Sequence, residues 1–121
     1  MATWEEIKKY MVQNHAMEEK DSNRVKGTFF FSDGRSHLFW VAKANDDKIS
    51  LLAPVAEYSH ENLVKLVENN DSVFGVLKMG DMLMLSDSQD MATADAGELD
   101  PMPLLLNADS LEEELFGGDK F

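Results

Sequence analysis

A chain of 121 residues, 44% of them hydrophobic, is long enough for one domain with its own core, spanning residues 1–121, and is too apolar for wholesale disorder. It contains no cysteine, which excludes a disulfide framework, a CxxC redox pair and a thiolate metal site. A phosphate backbone or an anionic lipid surface would repel its formal charge of −12, so we expect neither a nucleic acid nor a membrane as its partner.

The N-terminus and the distribution of apolar residues predict a cytoplasmic protein. Acidic residues at positions 5 and 6, and the absence of an apolar segment around them, argue against a signal peptide. No apolar run approaches the roughly 18 residues that a membrane-spanning helix requires. The missing cysteines also suit a cytoplasmic protein.

The negative charge is concentrated in the last quarter of the chain. From Asp90 to Phe121, nine acidic residues accompany a single basic residue, Lys120. Such a block is most often a solvated face, and the sharper alternative is a docking surface for a basic partner. Within this quarter we expect an acidic loop over residues 87–99, followed by the last helix.

Eight elements are predicted in the order α-β-β-β-α-β-β-α, an α+β fold in which helices pack on an antiparallel sheet. The first helix begins at a capping box formed by Thr3 and Glu6, and its apolar residues recur at intervals of three or four. Ser59 is expected to cap the second helix. Asp100 is expected to cap the third, and Gly117-Gly118 to end it. The predicted strands are Val25–Ser32, Arg35–Ala44, Ile49–Ala56, Ser72–Met79 and Met82–Ser86.

The dipeptide Asp33-Gly34 predicts a two-residue turn between the first two strands. Such a turn pairs Ser32 with Arg35, because turn length fixes the register of a hairpin. Farther along the strands, the same register places the ring of Trp40 over Gly27. A turn with an odd number of residues would shift every one of these pairs.

Alternation along the first three strands then separates a core face from an opposite face. The residues expected on the core face are Val25, Gly27, Phe29, Phe31, Leu38, Trp40, Ala42, Ile49, Leu51, Ala53 and Val55. On the opposite face Phe30, Phe39, Val41 and Leu52 are expected to form an apolar strip among polar side chains. We predict that this strip binds a second copy or a polypeptide client, unless a helix of the same chain covers it or the register is different.

The last two strands are predicted to be apolar on both faces, turning at Gly80-Asp81. One face is expected to carry Val73, Leu77, Met79, Met82 and Met84, and the other Phe74, Val76, Leu83 and Leu85. Methionine is flexible and polarisable, so Met79, Met82 and Met84 either fill the core or form an adaptable surface for several partners. We include these three among the candidate partner-binding residues.

No pattern for a catalytic, metal or cofactor site is present. His15, His37 and His60 lack the spacing of a zinc site, and the acidic stretch lacks the spacing of a calcium loop. Phosphate-binding, dinucleotide-binding and nucleophile-elbow motifs are also missing. We therefore predict a non-enzymatic protein without a cofactor, with His37 on the surface of its strand.

The order of elements and three phrases, "FSDGRSHLFWV", "ISLLAPVAE" and "NADSLEEELFGGDKF", resemble the bacterial YbjN-like group, which shares its fold with the class I chaperones of type III secretion. The resemblance implies a homodimer with a helical layer on a curved antiparallel sheet. For the chaperones it also implies binding of an extended client segment along apolar grooves. The last helix departs from the pattern, because it is expected to be short and begins with Pro101 and Pro103.

The sequence thus predicts a homodimeric interaction module, with a chaperone-like or regulatory role, that binds a polypeptide through apolar sheet or helix surfaces. The first alternative is a regulatory domain that binds a small ligand in a pocket between sheet and helices. The second is a subunit whose acidic end docks on a basic neighbour. Fold alone does not choose among them.

Overall fold

The computed structural model describes residues 3–14, 17–32, 34–43, 48–71, 74–90 and 101–117, and these form an α+β domain of three helices and a six-stranded antiparallel sheet. The helices are α1 (Trp4–Asn14), α2 (His60–Asn69) and α3 (Met102–Phe116). The strands are β1 (Glu18–Asp21), β2 (Arg24–Phe30), β3 (Ser36–Lys43), β4 (Lys48–Glu57), β5 (Gly75–Met79) and β6 (Met82–Asp90). The predicted fold class is confirmed, and the order of elements differs only by the additional strand β1.

The strands lie in the order β1-β2-β3-β4-β6-β5, and the described helices all pack on one face of this sheet. Helix α3 packs against β4, β6 and β3. Helix α1 packs against β2 and β1, and α2 packs against α3. The main core is the layer between these helices and the sheet. Burial of one face of each amphipathic element is what holds the two layers together.

The helix boundaries follow the predicted caps with one exception. The amide of Glu6 donates to Oγ1 of Thr3, and the amide of Asn62 donates to Oγ of Ser59. Helix α3 begins after Pro101, which offers no capping side chain, and the predicted cap Asp100 lies outside the described residues. At 15 residues α3 is the longest described helix, so the expectation of a short last helix is wrong. None of the described helices is long and apolar enough to cross a bilayer.

Strand β1 was not predicted, because its sequence carries no alternation of apolar and polar residues. All four of its residues are charged and exposed, as is common at the edge of a sheet. The indole of Trp4 donates to the carbonyl of Ser22 (2.7 Å) in the turn that follows, which ties α1 to this edge. Met17, just before the strand, is buried against Gly27, where a β-carbon would approach its Cγ to 2.8 Å.

The turn between β2 and β3 has three residues instead of two, which overturns the predicted register. The amide of Phe31 donates to the carbonyl of Arg35 (2.8 Å), so Ser32 does not pair with Arg35. Gly34, at φ 90°, occupies the left-handed position that closes three-residue hairpin loops. Every pair along the two strands is shifted by one residue as a result.

Because of the shifted register, the side chains of β3 lie on the faces opposite to those predicted. Phe39 and Val41 lie in the main core, and Leu38, Trp40 and Ala42 lie on the opposite side of the sheet. Phe39, not Trp40, pairs with Gly27, so the expected cover of Gly27 by Trp40 is wrong. On β2 and at Phe31 directly after it the prediction is correct, because Val25, Phe29 and Phe31 belong to the core or pack against it.

A second one-residue shift between β3 and β4 restores the predicted faces of β4. Lys43 pairs with Ile49, which leaves five residues between the paired positions instead of the expected four. The two shifts cancel, so the alternate residues of β4 point into the main core as predicted: Ile49, Leu51, Ala53 and Val55.

The hairpin of β5 and β6 has the predicted register. Met79 pairs with Met82 across Gly80, which has φ 59°. Phe74, Val76, Leu83 and Leu85 lie on the core side, and Leu77, Met79, Met82 and Met84 on the other. Val73 lies outside the described residues. The expected loop over 87–99 is wrong for its first four residues, since β6 continues to Asp90 beside β4.

Candidate functional site

The sheet face opposite the helices, called the open face below, carries a second apolar cluster. Trp40, Leu52 and Met84 are its buried centre, and Leu38, Ala42, Leu77, Met79 and Met82 pack around them half-buried. Among the described residues, no helix contributes a side chain to this cluster. A contiguous apolar surface on a sheet face without a helical layer is typical of an interaction site.

The structure divides the predicted partner-binding residues between the two faces. Phe39 and Val41 are fully buried in the main core, which corrects their assignment to a surface, because the register shift turns them inward. The others belong to the open face: Leu52 and Met84 in the buried centre, and Met79 and Met82 half-buried around it. The predicted strip of Phe30, Phe39, Val41 and Leu52 is therefore not formed.

Phe30 is the most exposed large apolar side chain among the described residues. It is 75% exposed, and it lies between Phe29 and Phe31, which both pack against the main core. Because side chains alternate along a strand, Phe30 points to the open face. Of the predicted partner-binding residues it is the one that solvent reaches freely.

A cleft of about 600 Å³ opens on the open face. Trp40 lines it in the middle of the sheet, and Met79 and Met82 line it from the β5–β6 turn. Strand β4 separates β3 from β6 in the sheet order, so one cleft can include all three residues only if the sheet curves toward the open face. Such a concave open face accounts for the burial of Trp40, which none of the described helices covers.

The other wall of the cleft is basic, although the protein is strongly acidic. It consists of Lys20 on β1 with Arg24 and Lys26 on β2. Arg24 is bound to Asp21 at 2.8 Å. The backbone amide of Asn23, and then the Arg24 guanidinium, hold the pKa of Asp21 below its ordinary value.

Lys26 is the basic residue of this wall that is closest to the apolar floor. Its Nζ lies 5.0 Å from the centroid of the Trp40 ring, a cation–π contact. Glu18 pairs opposite Lys26 across β1 and β2, but within the described part of the chain no carboxylate lies within ion-pair distance of Lys26. Lys20 has only a long and exposed contact with Glu18, at 3.6 Å. Two ammonium groups thus line the cleft, and Glu18 is the neighbouring carboxylate of both.

On the helix side, a buried ionic cluster joins α3 to the start of β3. The guanidinium of Arg35 donates to both carboxylate oxygens of Asp109, at 2.9 and 3.0 Å. Nδ1 of His37 lies 3.5 Å from Asp109 and 3.8 Å from Glu112. Burial raises the pKa of Asp109, but the hydrogen bonds and charges of Arg35 and His37 outweigh it and hold this pKa below its ordinary value.

His37 is fully buried, which corrects its predicted surface position. Its Nε2 lies 2.7 Å from the carbonyl of Pro54, so this nitrogen must donate. Its Nδ1 is directed at the two carboxylates of α3. The spacing of Asp109 and Glu112, three apart on one helix, places both acids on the same side as the ring.

The same residues have the donor set of a metal site. One atom each of His37, Asp109 and Glu112 lie within 4.8 Å of one another. The guanidinium of Arg35 already binds both oxygens of Asp109, and its positive charge opposes a second cation there. The geometry therefore favours an ion-pair cluster that fastens α3 to β3.

The acidic last quarter is only partly described. Of its nine acids, Asp109 and Glu112 are withdrawn into the ionic cluster, and Glu113 and Glu114 are exposed near the end of α3. Residues 91–100 and 118–121, with the remaining acids except Asp90, lie outside the described residues. Its role as a docking surface for a basic partner stays a prediction.

No protein-family model, curated protein or solved structure matches the chain. The resemblance to the YbjN-like group therefore stays a prediction.

Proposed function

We propose that the protein is a cytoplasmic, non-enzymatic interaction module that binds an extended polypeptide segment on its open face. The observation that carries this proposal is an apolar cluster on a concave sheet face to which no described helix contributes. A segment lying across such a face would bury the half-exposed side chains around Trp40, with the exposed ring of Phe30 at one end.

The residues around the buried centre supply the driving force. Full burial of a Leu- or Met-sized side chain contributes up to about 1.5–3 kcal/mol, and part of that remains to be gained for Leu38, Leu77 and Met79. Methionine side chains adapt to differently shaped partners. This composition suits a surface that accepts more than one apolar segment. The resemblance to the YbjN-like group and the secretion chaperones, stated from sequence phrases, supports the same role.

We also propose that the protein is a homodimer, paired through β5 and α2. Strand β5 is an edge of the sheet with a single charged residue, Lys78, whereas the other edge, β1, is fully charged. An edge strand of low charge is a template for pairing with a second chain. An isologous pair would place two β5 strands antiparallel about a two-fold axis.

Helix α2, which precedes β5 in the chain, offers exposed apolar side chains. Val64 and Val67 are 40% and 56% exposed. Lys65 stacks on Phe116 of α3, and Val67, two residues later, lies on the side of α2 opposite Lys65. In a dimer these valines would be covered together with the β5 edge.

A second candidate function is the binding of a small ligand in the cleft of the open face. Its volume of about 600 Å³ falls within the range of about 300–1,000 Å³ that is typical of ligand sites. The cleft lies on the face opposite the helices, which differs from the sequence prediction of a pocket between sheet and helices.

Binding to the open face is tested with a twelve-residue peptide containing four leucines separated by serine and glutamine, measured by isothermal titration calorimetry. We expect the wild type to bind it and Leu38→Asp, on the open face, to lose most of the affinity. Leu106→Asp is the matched control, because Leu106 is 52% exposed on α3. Equal loss in both variants, or no binding to the wild type, would overturn the proposal. Leu77→Asp replaces Leu38→Asp if the latter does not fold.

The dimer is tested by light scattering after size exclusion, over a dilution series. We expect a mass near twice 13.6 kDa for the wild type and a shift to monomer for Val67→Glu. Leu106→Glu, with a similarly exposed side chain on another helix, should leave the mass unchanged. A wild-type monomer at every concentration would contradict the dimer.

A further inference from the structure

We infer that the cleft selects acidic segments: the polypeptide bound on the open face carries a carboxylate next to apolar residues. This inference rests on the proposed function and names the chemistry of the partner. The cleft has two unlike walls, one lined by basic residues and the other by two methionines with Asp81.

The basic wall has ammonium groups that can bind an additional anion. Lys26 lies over Trp40, and within the described residues it forms no ion pair, although Glu18 lies opposite it on β1. Arg24, in contrast, is already bound to Asp21. An acid placed beside Lys26 would gain charge-assisted hydrogen bonds at the edge of an apolar floor. Lys20, with its long contact to Glu18, lies on the same wall.

The opposite wall determines at which side of the cleft the carboxylate of the bound segment lies. Met79 and Met82 are apolar, and Asp81 between them is negatively charged. An acidic group would be repelled by Asp81 and attracted by Lys26, so the carboxylate belongs at the β1–β2 wall. The apolar neighbour of that carboxylate then packs on Trp40 and the methionines.

Charge complementarity is unexpected for this chain, because a net charge of −12 repels acids at long range. A basic segment would be the default partner of such a surface. The cleft reverses this preference locally, since at about 0.15 M salt the Debye length is about 8 Å and distant charges are largely screened.

The test compares three blocked peptides by isothermal titration calorimetry at about 0.15 M salt. They share four leucines, and their intervening positions carry glutamate, glutamine or lysine with serine. We expect the glutamate peptide to bind about three- to fivefold more tightly than the glutamine peptide, as for a partly exposed ion pair, and the lysine peptide to bind most weakly.

Variants assign the selectivity to the cleft. Lys26→Gln should abolish the preference for glutamate, and Lys26→Arg should retain it. Lys9→Gln is the matched control, because it removes one exposed positive charge from α1. It should leave the preference unchanged.

The possible failures are distinguishable. Equal binding of the glutamate and glutamine peptides, or tighter binding of the lysine peptide, would overturn the inference while the proposed function stands. A preference for glutamate that survives Lys26→Gln would also overturn it. If none of the three peptides binds, both the inference and the proposed function are wrong.

Discussion

His37 was predicted to lie on the surface of its strand, but it is fully buried in an ionic environment. It is enclosed between the carbonyl of Pro54 and the carboxylates of Asp109 and Glu112. The other buried residues of its strand, Phe39, Trp40 and Val41, are all apolar. Buried ionic groups are costly to desolvate, and removing one partner leaves the others uncompensated. The cluster therefore fixes the position of α3 on the sheet.

The pH dependence of stability should show how much the ion pairs of Asp109 stabilise the fold. Because its pKa is lower in the folded chain than in the unfolded chain, its ion pairs stabilise the fold above about pH 4 and are lost as the pH falls through the folded pKa. We expect urea unfolding to show a larger loss of stability between pH 5 and pH 2.5 for the wild type than for Asp109→Asn. Parallel pH profiles of the two proteins would contradict this.

Phe39 and Phe30 provide a paired test of the register. Phe39 is fully buried and Phe30 is 75% exposed, although the sequence assigned them to one surface. We expect Phe39→Ala to lower the free energy of unfolding by about 3–5 kcal/mol through the cavity it leaves. Phe30→Ala should change it by no more than about 0.5 kcal/mol. Similar losses in chemical denaturation would contradict the observed faces of β2 and β3.

Among the elements, the two hairpin connections of the first three strands decide which side chains meet. Each connection has one residue more than predicted, three instead of two and five instead of four. The two register shifts move the side chains of β3 to the opposite faces and leave those of β2 and β4 as predicted. Because the period of a strand is two, a single-residue shift moves a whole set of side chains to the other face.

The loss of stability on substituting Gly34 should show that the first of these connections has three residues. Its φ of 90° is unfavourable for a residue with a β-carbon, so Gly34→Ala is expected to cost about 1–2 kcal/mol of stability. Gly75→Ala is the control, since Gly75 has no positive φ and a β-carbon there would approach nothing closer than 4.0 Å. Equal thermal stability of both variants would contradict the three-residue loop.

The sequence predicted the features that depend on local chemistry. The capping box at Thr3, the cap at Ser59 and the Gly80 turn all depend on residues that are close together in the chain. Strand β1 and the turn before Arg35 were missed because neither has an unambiguous local pattern. For β1 the charged sequence suits an edge strand as well as a loop.

The candidate site was less predictable because it joins distant segments. Two of the predicted residues, Met79 and Met82, line the cleft, but Trp40 was assigned to the core. The alternation of Arg24 and Lys26 on one strand was an available signal for a basic stripe. Their position opposite the methionines depends on sheet curvature, which no local pattern specifies.

For the whole molecule, the ionic cluster and the proposed binding surface are separated onto the two faces of the sheet. The helix side holds the buried ionic cluster, and the open face holds an apolar floor with basic residues along one wall. This separation is what the account of polypeptide binding depends on. It requires that a ligand contact the open face and leave the helix-side core undisturbed.

Methionine methyl groups report on both faces at once, so their NMR shifts during peptide titration are the most direct measurement. Met79 and Met82 lie at the cleft, whereas Met11 and Met17 are buried in the main core. In methyl-labelled protein titrated with the leucine–glutamate peptide, we expect saturable shifts at Met79 and Met82, with Met11 and Met17 unchanged. Shifts confined to Met11 and Met17, or no shift at any of the four, would contradict binding on the open face.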